Sequence, residues 1–124
     1  MNAIGTHILL ELNGCSPESL NDLPFVRKTL IEAALAVGAT IVGESFHKFQ
    51  PQGVTGIVAI AESHLSIHTW PEYSYAAVDV FTCGESFEPR KAAELLVQRF
   101  GAHDHVIREF QRGPLAHLAI GSRT

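Results

Sequence analysis

The segment from residue 61 to residue 84 combines side chains suited to nucleophilic and proton-transfer chemistry. Ser63 stands between Glu62 and His64, so a hydroxyl nucleophile has titratable groups as its immediate neighbours. His68 follows five residues after Ser63, and imidazole is the side chain whose unperturbed pKa best suits proton transfer near neutral pH. Cys83 ends an apolar stretch and offers a thiol. These are the parts of a self-cleaving serine site.

A longer pattern surrounds this segment. It comprises Gly5, His7, Glu11, Gly14, Cys15, residues 46–49, 51–56 and 62–64, Ser66, His68, and residues 70–73 and 81–84. Together these residues resemble the prokaryotic S-adenosylmethionine decarboxylase proenzymes, over roughly residues 4 to 113. A lone Glu-Ser-His tripeptide recurs by chance, so the resemblance depends on this extended context.

The resemblance implies how the catalyst would be made. In the family, the serine hydroxyl attacks the carbonyl of the preceding residue, and the amide becomes an ester. Elimination then leaves a dehydroalanine, which hydrolyses to a pyruvoyl group. By this resemblance the chain is cleaved between Glu62 and Ser63 into fragments 1–62 and 63–124. The second fragment would carry the pyruvoyl group that forms a Schiff base with the substrate.

Three further residues receive roles in the reaction from the resemblance. Thr55 would support processing through its hydroxyl, because a hydroxyl can donate to a developing oxyanion. Many family members have serine here; threonine keeps the hydroxyl but restricts its rotamers. His68 would transfer the proton during elimination. Cys83 would return a proton to the substrate α-carbon after carbon dioxide leaves.

The resemblance also implies the substrate contacts. Phe49 would lie against the adenine, since an aromatic ring stacks on a planar base. Glu72 would accept hydrogen bonds from the ribose hydroxyls, as a carboxylate does. Ser74 departs from the glycine that is frequent at this position, which affects the predicted shape of the pocket. The expected reaction converts S-adenosylmethionine to its decarboxylated form for spermidine biosynthesis.

The residues independently disfavour the most common decarboxylation cofactor. Amino-acid decarboxylation needs an electron sink conjugated to the substrate nitrogen. Pyridoxal phosphate requires a lysine and a phosphate-binding loop, whereas this chain has only Lys28, Lys48 and Lys91 and no glycine-rich loop leading into a helix. A sink made from the chain itself fits better.

Composition limits the other function classes. The 124 residues predict one domain, residues 1–124, and their net charge of −4 with scattered basic residues argues against a nucleic-acid or anionic membrane surface. No apolar run approaches the ~18 residues that a membrane span needs. Cys15 and Cys83 are too far apart in sequence to indicate a disulfide framework. We expect a soluble cytoplasmic protein with reduced thiols.

Hydrophobic periodicity predicts the elements that position the candidate residues. Apolar positions three and four residues apart predict a helix that starts near Ser16 and ends near Gly38, and another from Pro89 to Gly101. Runs rich in β-branched and aromatic residues predict the strands. These strands are residues 6–12, 40–49, 54–61, 65–70, 76–82 and 105–110, with a tail that pairs weakly or frays.

The order of these elements predicts an α+β two-layer sandwich. Four consecutive strands favour a mostly antiparallel sheet, and the two helices would pack on one face of it. The second face would then need a cover. We therefore expect a homodimer of processed protomers, each with two chains, and active sites near the interface, as the family suggests.

Several alternatives remain open at this point. His64 and His68 lie on the same side of a strand, but without a third ligand no metal site is predicted, and His64 is expected to be structural. Trp70 and Phe81 are expected to pack in the core or at an interface. One alternative function is a pyruvoyl-dependent arginine or ornithine decarboxylase of the same fold. The other is an unprocessed homologue without catalytic activity.

Overall fold

The strands of the protein form a single antiparallel sheet. The computed structural model describes residues 3–117, and within them the sheet has the strand order β2-β3-β4-β5-β1-β6. Each predicted strand is present, and the largest boundary difference is at the last one, which continues to Pro114. The strands are β1 Ala3–Asn13, β2 Thr40–Lys48, β3 Val54–Ala61, β4 Ser63–Trp70, β5 Tyr75–Cys83 and β6 Asp104–Pro114.

The first predicted helix is in fact two helices, α1 Pro17–Leu20 and α2 Leu23–Ala36. The Ser16 hydroxyl accepts a hydrogen bond at the start of α1, and the Asp22 carboxylate accepts one from the Phe25 N–H at 3.2 Å. Since an N-cap residue lies outside the helix that it caps, Asp22 interrupts the helical run. The other helix, α3, spans Pro89–Phe100 and ends at Gly101 in a left-handed conformation.

One face of the sheet forms the core with the helices. Alternate strand residues such as Ile8, Leu10 and Val58 are buried, and they pack with Leu30 of α2 and Leu96 of α3. Period-two burial is what an antiparallel sheet with one covered face produces. The helices lie on this face, so the predicted α+β two-layer sandwich is confirmed.

The other face of the sheet has no covering layer in the protomer. Apolar side chains are exposed on it, at Ile57, Trp70, Val106 and Phe110. Trp70, which was expected to pack in the core or an interface, is 38% exposed here. We call this surface the open face. An antiparallel sheet can leave one face uncovered in this way.

Hydrogen bonds join the polar residues at the centre of the open face. His7 Nε2 lies 3.2 Å from one Asp79 carboxylate oxygen, and the Ser66 hydroxyl donates to the other at 3.1 Å. Arg112 donates to His7 Nδ1 at 3.1 Å, and its guanidinium lies 5.7 Å from the centre of the Phe81 ring. Because Nδ1 of His7 accepts from arginine, Nε2 is the nitrogen that donates to Asp79. These polar side chains therefore find hydrogen-bond partners within the protomer.

The predicted tail lies largely in residues 118–124, which are outside the described residues. None of the helices in residues 3–117 combines the length and apolar character needed to cross a membrane.

Candidate active site

The candidate cleavage site lies in the tight turn between β3 and β4. Ala61 ends β3 and Ser63 begins β4, so Glu62 alone joins the two strands. The Glu62 carbonyl oxygen accepts a hydrogen bond from the backbone N–H of Cys83 at 3.2 Å. The Ser63 hydroxyl is half-buried and lies 3.4 Å from Nδ1 of His64. The turn thus brings a hydroxyl, a polarised carbonyl and the backbone of Cys83 together.

A second group of predicted residues lies at the opposite end of the same two strands. Thr55 and His68 are paired across β3 and β4, and the Thr55 hydroxyl oxygen lies 3.0 Å from Nδ1 of His68. This hydrogen bond engages Nδ1 of His68 and so orients the imidazole ring. Thr55 and His68, to which the resemblance gave separate roles in processing, are therefore in direct contact.

The predicted substrate-binding residues lie beside this pair. Phe49 follows β2, and its backbone N–H donates to the Gly53 carbonyl at 2.8 Å, which closes the loop that carries the ring. Glu72 lies in a single 3-10 turn, Pro71–Tyr73, directly after β4. Both side chains line one cleft of about 240 Å³. The lining residues are Phe49, Gln52, Gly53, Thr55, His68, Thr69, Trp70 and Glu72.

The two groups of predicted residues do not meet within one protomer. Ser63 and His68 are five residues apart on β4, which at roughly 3.3 Å per residue separates them by about 16 Å. Direct proton transfer requires heavy atoms within about 3 Å. The imidazole nearest to the Ser63 hydroxyl in the same chain is therefore that of His64, not that of His68.

Ser74 adopts a backbone conformation that favours glycine. Its φ is +52°, and it is the only residue other than glycine with positive φ in residues 3–117. Its carbonyl accepts a hydrogen bond from the Cys15 N–H at 3.0 Å, which joins the turn after β4 to the end of β1. A glycine, which the resemblance led us to expect here, would adopt this positive φ more readily than Ser74 does. The conformation belongs to the turn beside Glu72.

Sequence reasoning missed two features of this region. The first is the backbone N–H of Cys83, which no pattern of side chains reveals. The second is Tyr75, whose hydroxyl donates to the Glu11 carboxylate while its ring stacks on Trp70 at 5.4 Å between ring centres. Burial and the nearby carboxylate raise the pKa of Tyr75 to about 12. The pairing of residues 70 and 75 across a four-residue connection between two predicted strands was the available signal.

Other surfaces contribute less to the candidate site. A larger cleft of about 560 Å³ lies beside α1 and contains Glu18, Asp22 and Lys48, but none of the predicted catalytic residues. In the described part of the chain, no three histidine, cysteine, aspartate or glutamate side chains are arranged to hold a metal ion.

Comparison with known proteins assigns the chain to a family. The family model described as S-adenosylmethionine decarboxylase matches residues 6–113, which include both groups of candidate residues. The chain belongs to the S-adenosylmethionine decarboxylase family. This family consists of enzymes, and the resemblance inferred from the sequence is thereby confirmed.

Individual relatives and a solved structure agree with the family assignment. The chain is 51% identical over 117 residues to an S-adenosylmethionine decarboxylase proenzyme of Thermodesulfovibrio yellowstonii, covering 94% of this chain and 87% of the relative. A proenzyme of the same name from Moorella thermoacetica is 54% identical over 113 residues, 91% of this chain and 90% of the relative. The crystal structure of adenosylmethionine decarboxylase from Aquifex aeolicus matches with a TM-score of 0.87 at 32% identity, over 96% of this chain and 98% of that chain.

Proposed function

We propose that this protein decarboxylates S-adenosylmethionine with a pyruvoyl group that the chain makes from Ser63. The single observation that supports the cofactor best is the turn at Glu62 and Ser63, where a serine hydroxyl follows a carbonyl that already accepts a backbone hydrogen bond. The names of the relatives support S-adenosylmethionine over arginine or ornithine as substrate. The product would donate aminopropyl groups in spermidine synthesis.

The residues at the turn fit self-cleavage. Attack of the Ser63 oxygen on the Glu62 carbonyl moves negative charge onto the carbonyl oxygen. The Cys83 N–H, at 3.2 Å from that oxygen, can stabilise the charge as an oxyanion-hole donor does. The peptide C–N bond then breaks and the hydroxyl proton passes to the freed Ser63 amine, which leaves an ester. Removal of the Ser63 α-proton by the proposed base His68 expels the Glu62 carboxylate and leaves a dehydroalanine. Its imine tautomer adds water and loses ammonia to give the ketone. When formed, the pyruvoyl group supplies the electron sink for decarboxylation.

The cleft beside Thr55 and His68 fits one part of the substrate. Phe49 is 46% exposed, so its ring is free to contact a planar base, and Glu72 is an exposed carboxylate at the same cleft. At about 240 Å³ the cleft is smaller than the roughly 300–1,000 Å³ of typical ligand sites. A further surface is needed to enclose the methionine part of the substrate.

We propose that a second copy of the chain supplies this surface. Ser63 of β4 and Cys83 of β5 lie at one end of these paired strands. Thr55 of β3 and His68 of β4 lie at the other end. In a homodimer whose open faces meet about a two-fold axis near the middle of β4, the Ser63 end of one protomer faces the His68 end of its partner. Packed sheets are ~10 Å apart and their side chains interdigitate, so these groups come within reach.

The assembly explains both the exposed apolar residues and the separation of the candidate residues. Ile57, Val106 and Phe110 would be covered by the partner, which removes apolar surface from water. Each of the two sites would combine Ser63 and Cys83 of one protomer with Phe49, Thr55, His68 and Glu72 of the other. The fold of each processed protomer would be held by the sheet hydrogen bonds between β3, β4 and β5.

Intact mass under denaturing conditions tests the proposed function. We expect two fragments, residues 1–62 and residues 63–124, with the second lacking the nitrogen of Ser63 and carrying a ketone. Cyanoborohydride with S-adenosylmethionine should then attach the substrate or its decarboxylated product to the second fragment only, with loss of water on condensation and gain of two hydrogens on reduction. Trapping of arginine or ornithine in its place would support the alternative substrates. A chain of 13.5 kDa that stays intact would support the non-catalytic alternative.

A further inference from the structure

Trp70 forms a wall of the substrate cleft, and contacts from β1 and β5 hold it there. Its ring lies 6.3 Å from that of His68 and stacks on Tyr75 with an angle of 27° between the ring planes. Trp70 and Tyr75 are directly opposite each other across β4 and β5. The Tyr75 hydroxyl in turn donates to the Glu11 carboxylate on β1. A continuous chain of contacts therefore runs from β1 to the cleft.

A single stacked neighbour does not by itself fix an indole ring at a surface. Trp70 is 38% exposed, so part of its ring borders solvent or ligand. Without its hydrogen bond, the Tyr75 ring could turn about its side-chain torsions, and the indole would follow. Glu11 removes this freedom because it holds the phenol oxygen at the far end of the ring. A tyrosine phenol is a donor at physiological pH because its usual pKa is about 10, and burial and the carboxylate raise the pKa of Tyr75 further.

We propose that Glu11 and Tyr75 are positioning residues that fix Trp70 as a wall of the S-adenosylmethionine cleft. The identity of the ligand rests on the proposed function, whereas the positioning of Trp70 does not. Tyr75 begins β5, at the opposite end of that strand from Cys83 and the turn at Ser63. In processed protein the pair therefore acts on substrate binding and not on the chemistry at Ser63. Pre-organisation of a binding surface lowers the cost of ordering it when the ligand binds.

The composition of the chain offers a direct probe. Trp70 is the only tryptophan, and the two tyrosines are Tyr73 and Tyr75. Tyr73 is 75% exposed in the adjacent turn, so Tyr73→Phe is a matched control. Acrylamide quenching and anisotropy of Trp70 fluorescence should be measured in the uncleaved Ser63→Ala background. This readout reports the ring without requiring an active enzyme.

We expect Tyr75→Phe to increase the quenching constant and lower the anisotropy, and Tyr73→Phe to change neither. Glu11→Ala should reproduce the effect with Tyr75 intact, and Glu11→Gln, which keeps an acceptor, should restore most of the wild-type signal. In processed protein with Ser63 intact, Tyr75→Phe should raise KM for S-adenosylmethionine about two- to tenfold, the range for one lost hydrogen bond, with kcat nearly unchanged.

Fluorescence identical to wild type in both Tyr75→Phe and Glu11→Ala would overturn the positioning role. A higher quenching constant and lower anisotropy of Trp70, together with an unchanged KM, would overturn the role of the wall in substrate binding. Wild-type protein that does not turn over S-adenosylmethionine would instead refute the proposed function, and the fluorescence comparison would still decide whether Glu11 and Tyr75 position Trp70.

Discussion

Replacing Ser63 with alanine is expected to abolish both self-cleavage and decarboxylation. Alanine has no hydroxyl to attack the Glu62 carbonyl, so the chain stays whole and no pyruvoyl group forms. Because that group carries the electron-sink chemistry, its loss removes the entire rate enhancement, roughly 10⁶-fold or more. Denaturing mass spectrometry and release of labelled carbon dioxide from S-adenosylmethionine measure the two effects.

Ser86→Ala is the matched control for this loss. Ser86 is an exposed serine in the segment after β5, and it takes no part in the proposed chemistry. The Ser86→Ala protein should cleave and turn over as the wild type does. Decarboxylation by an uncut Ser63→Ala chain would mean that the catalyst originates from a residue other than Ser63.

Replacing Cys83 with alanine is expected to separate the two activities. The contact to the Glu62 carbonyl comes from the backbone N–H of Cys83, and alanine retains that donor. Cleavage should therefore continue. The side-chain thiol is lost, and with it the proposed proton donor to the substrate α-carbon, so decarboxylation should fall about 10²- to 10⁴-fold.

Cys15→Ala serves as the control for removing a thiol. Cys15 is buried at the end of β1, where burial raises the pKa of its thiol, and it is distant from the turn at Ser63. Its alanine variant should keep both activities. The rate of fragment formation and the initial rate of carbon dioxide release should be measured on the same preparations. Wild-type turnover by Cys83→Ala would exclude the thiol as the proton donor.

Strand positions followed from the sequence because runs rich in β-branched and aromatic residues are separated by turn residues, and helix positions followed from apolar residues three and four apart. Leu10, Leu12 and Val58 alternate with more accessible residues, and this period-two pattern marks a sheet that is covered on one side. The break in the first helix was missed, since Asp22 reads as an ordinary exposed helical residue until its carboxylate is seen to cap α2.

The candidate site was predictable only as a set of residues. Phe49, Thr55, His68 and Glu72 were expected to act together, and they do share one cleft. The distance from His68 to Ser63 was not apparent from the sequence. Five residues are a short separation along the chain, but an extended strand places them far apart in space. Contacts made by backbone atoms, such as that of Cys83, leave no trace in residue identity.

Co-expression of two inactive variants tests the shared site most directly. A Ser63→Ala chain and a His68→Ala chain, each with its own affinity tag, can be purified together as a mixed dimer by sequential capture. One of its two sites then combines Ser63 of the His68→Ala chain with His68 of the Ser63→Ala chain. The other site lacks both residues.

In the mixed dimer we expect the His68→Ala chain to be cleaved after Glu62, as mass spectrometry would detect, and the Ser63→Ala chain to remain intact. The His68→Ala protein alone should stay uncut. Failure to recover a doubly tagged species, or a His68→Ala chain that remains whole in the mixed dimer, would contradict a site built from two protomers. Efficient cleavage of the His68→Ala protein alone would contradict it equally, and would point to His64 in the same chain.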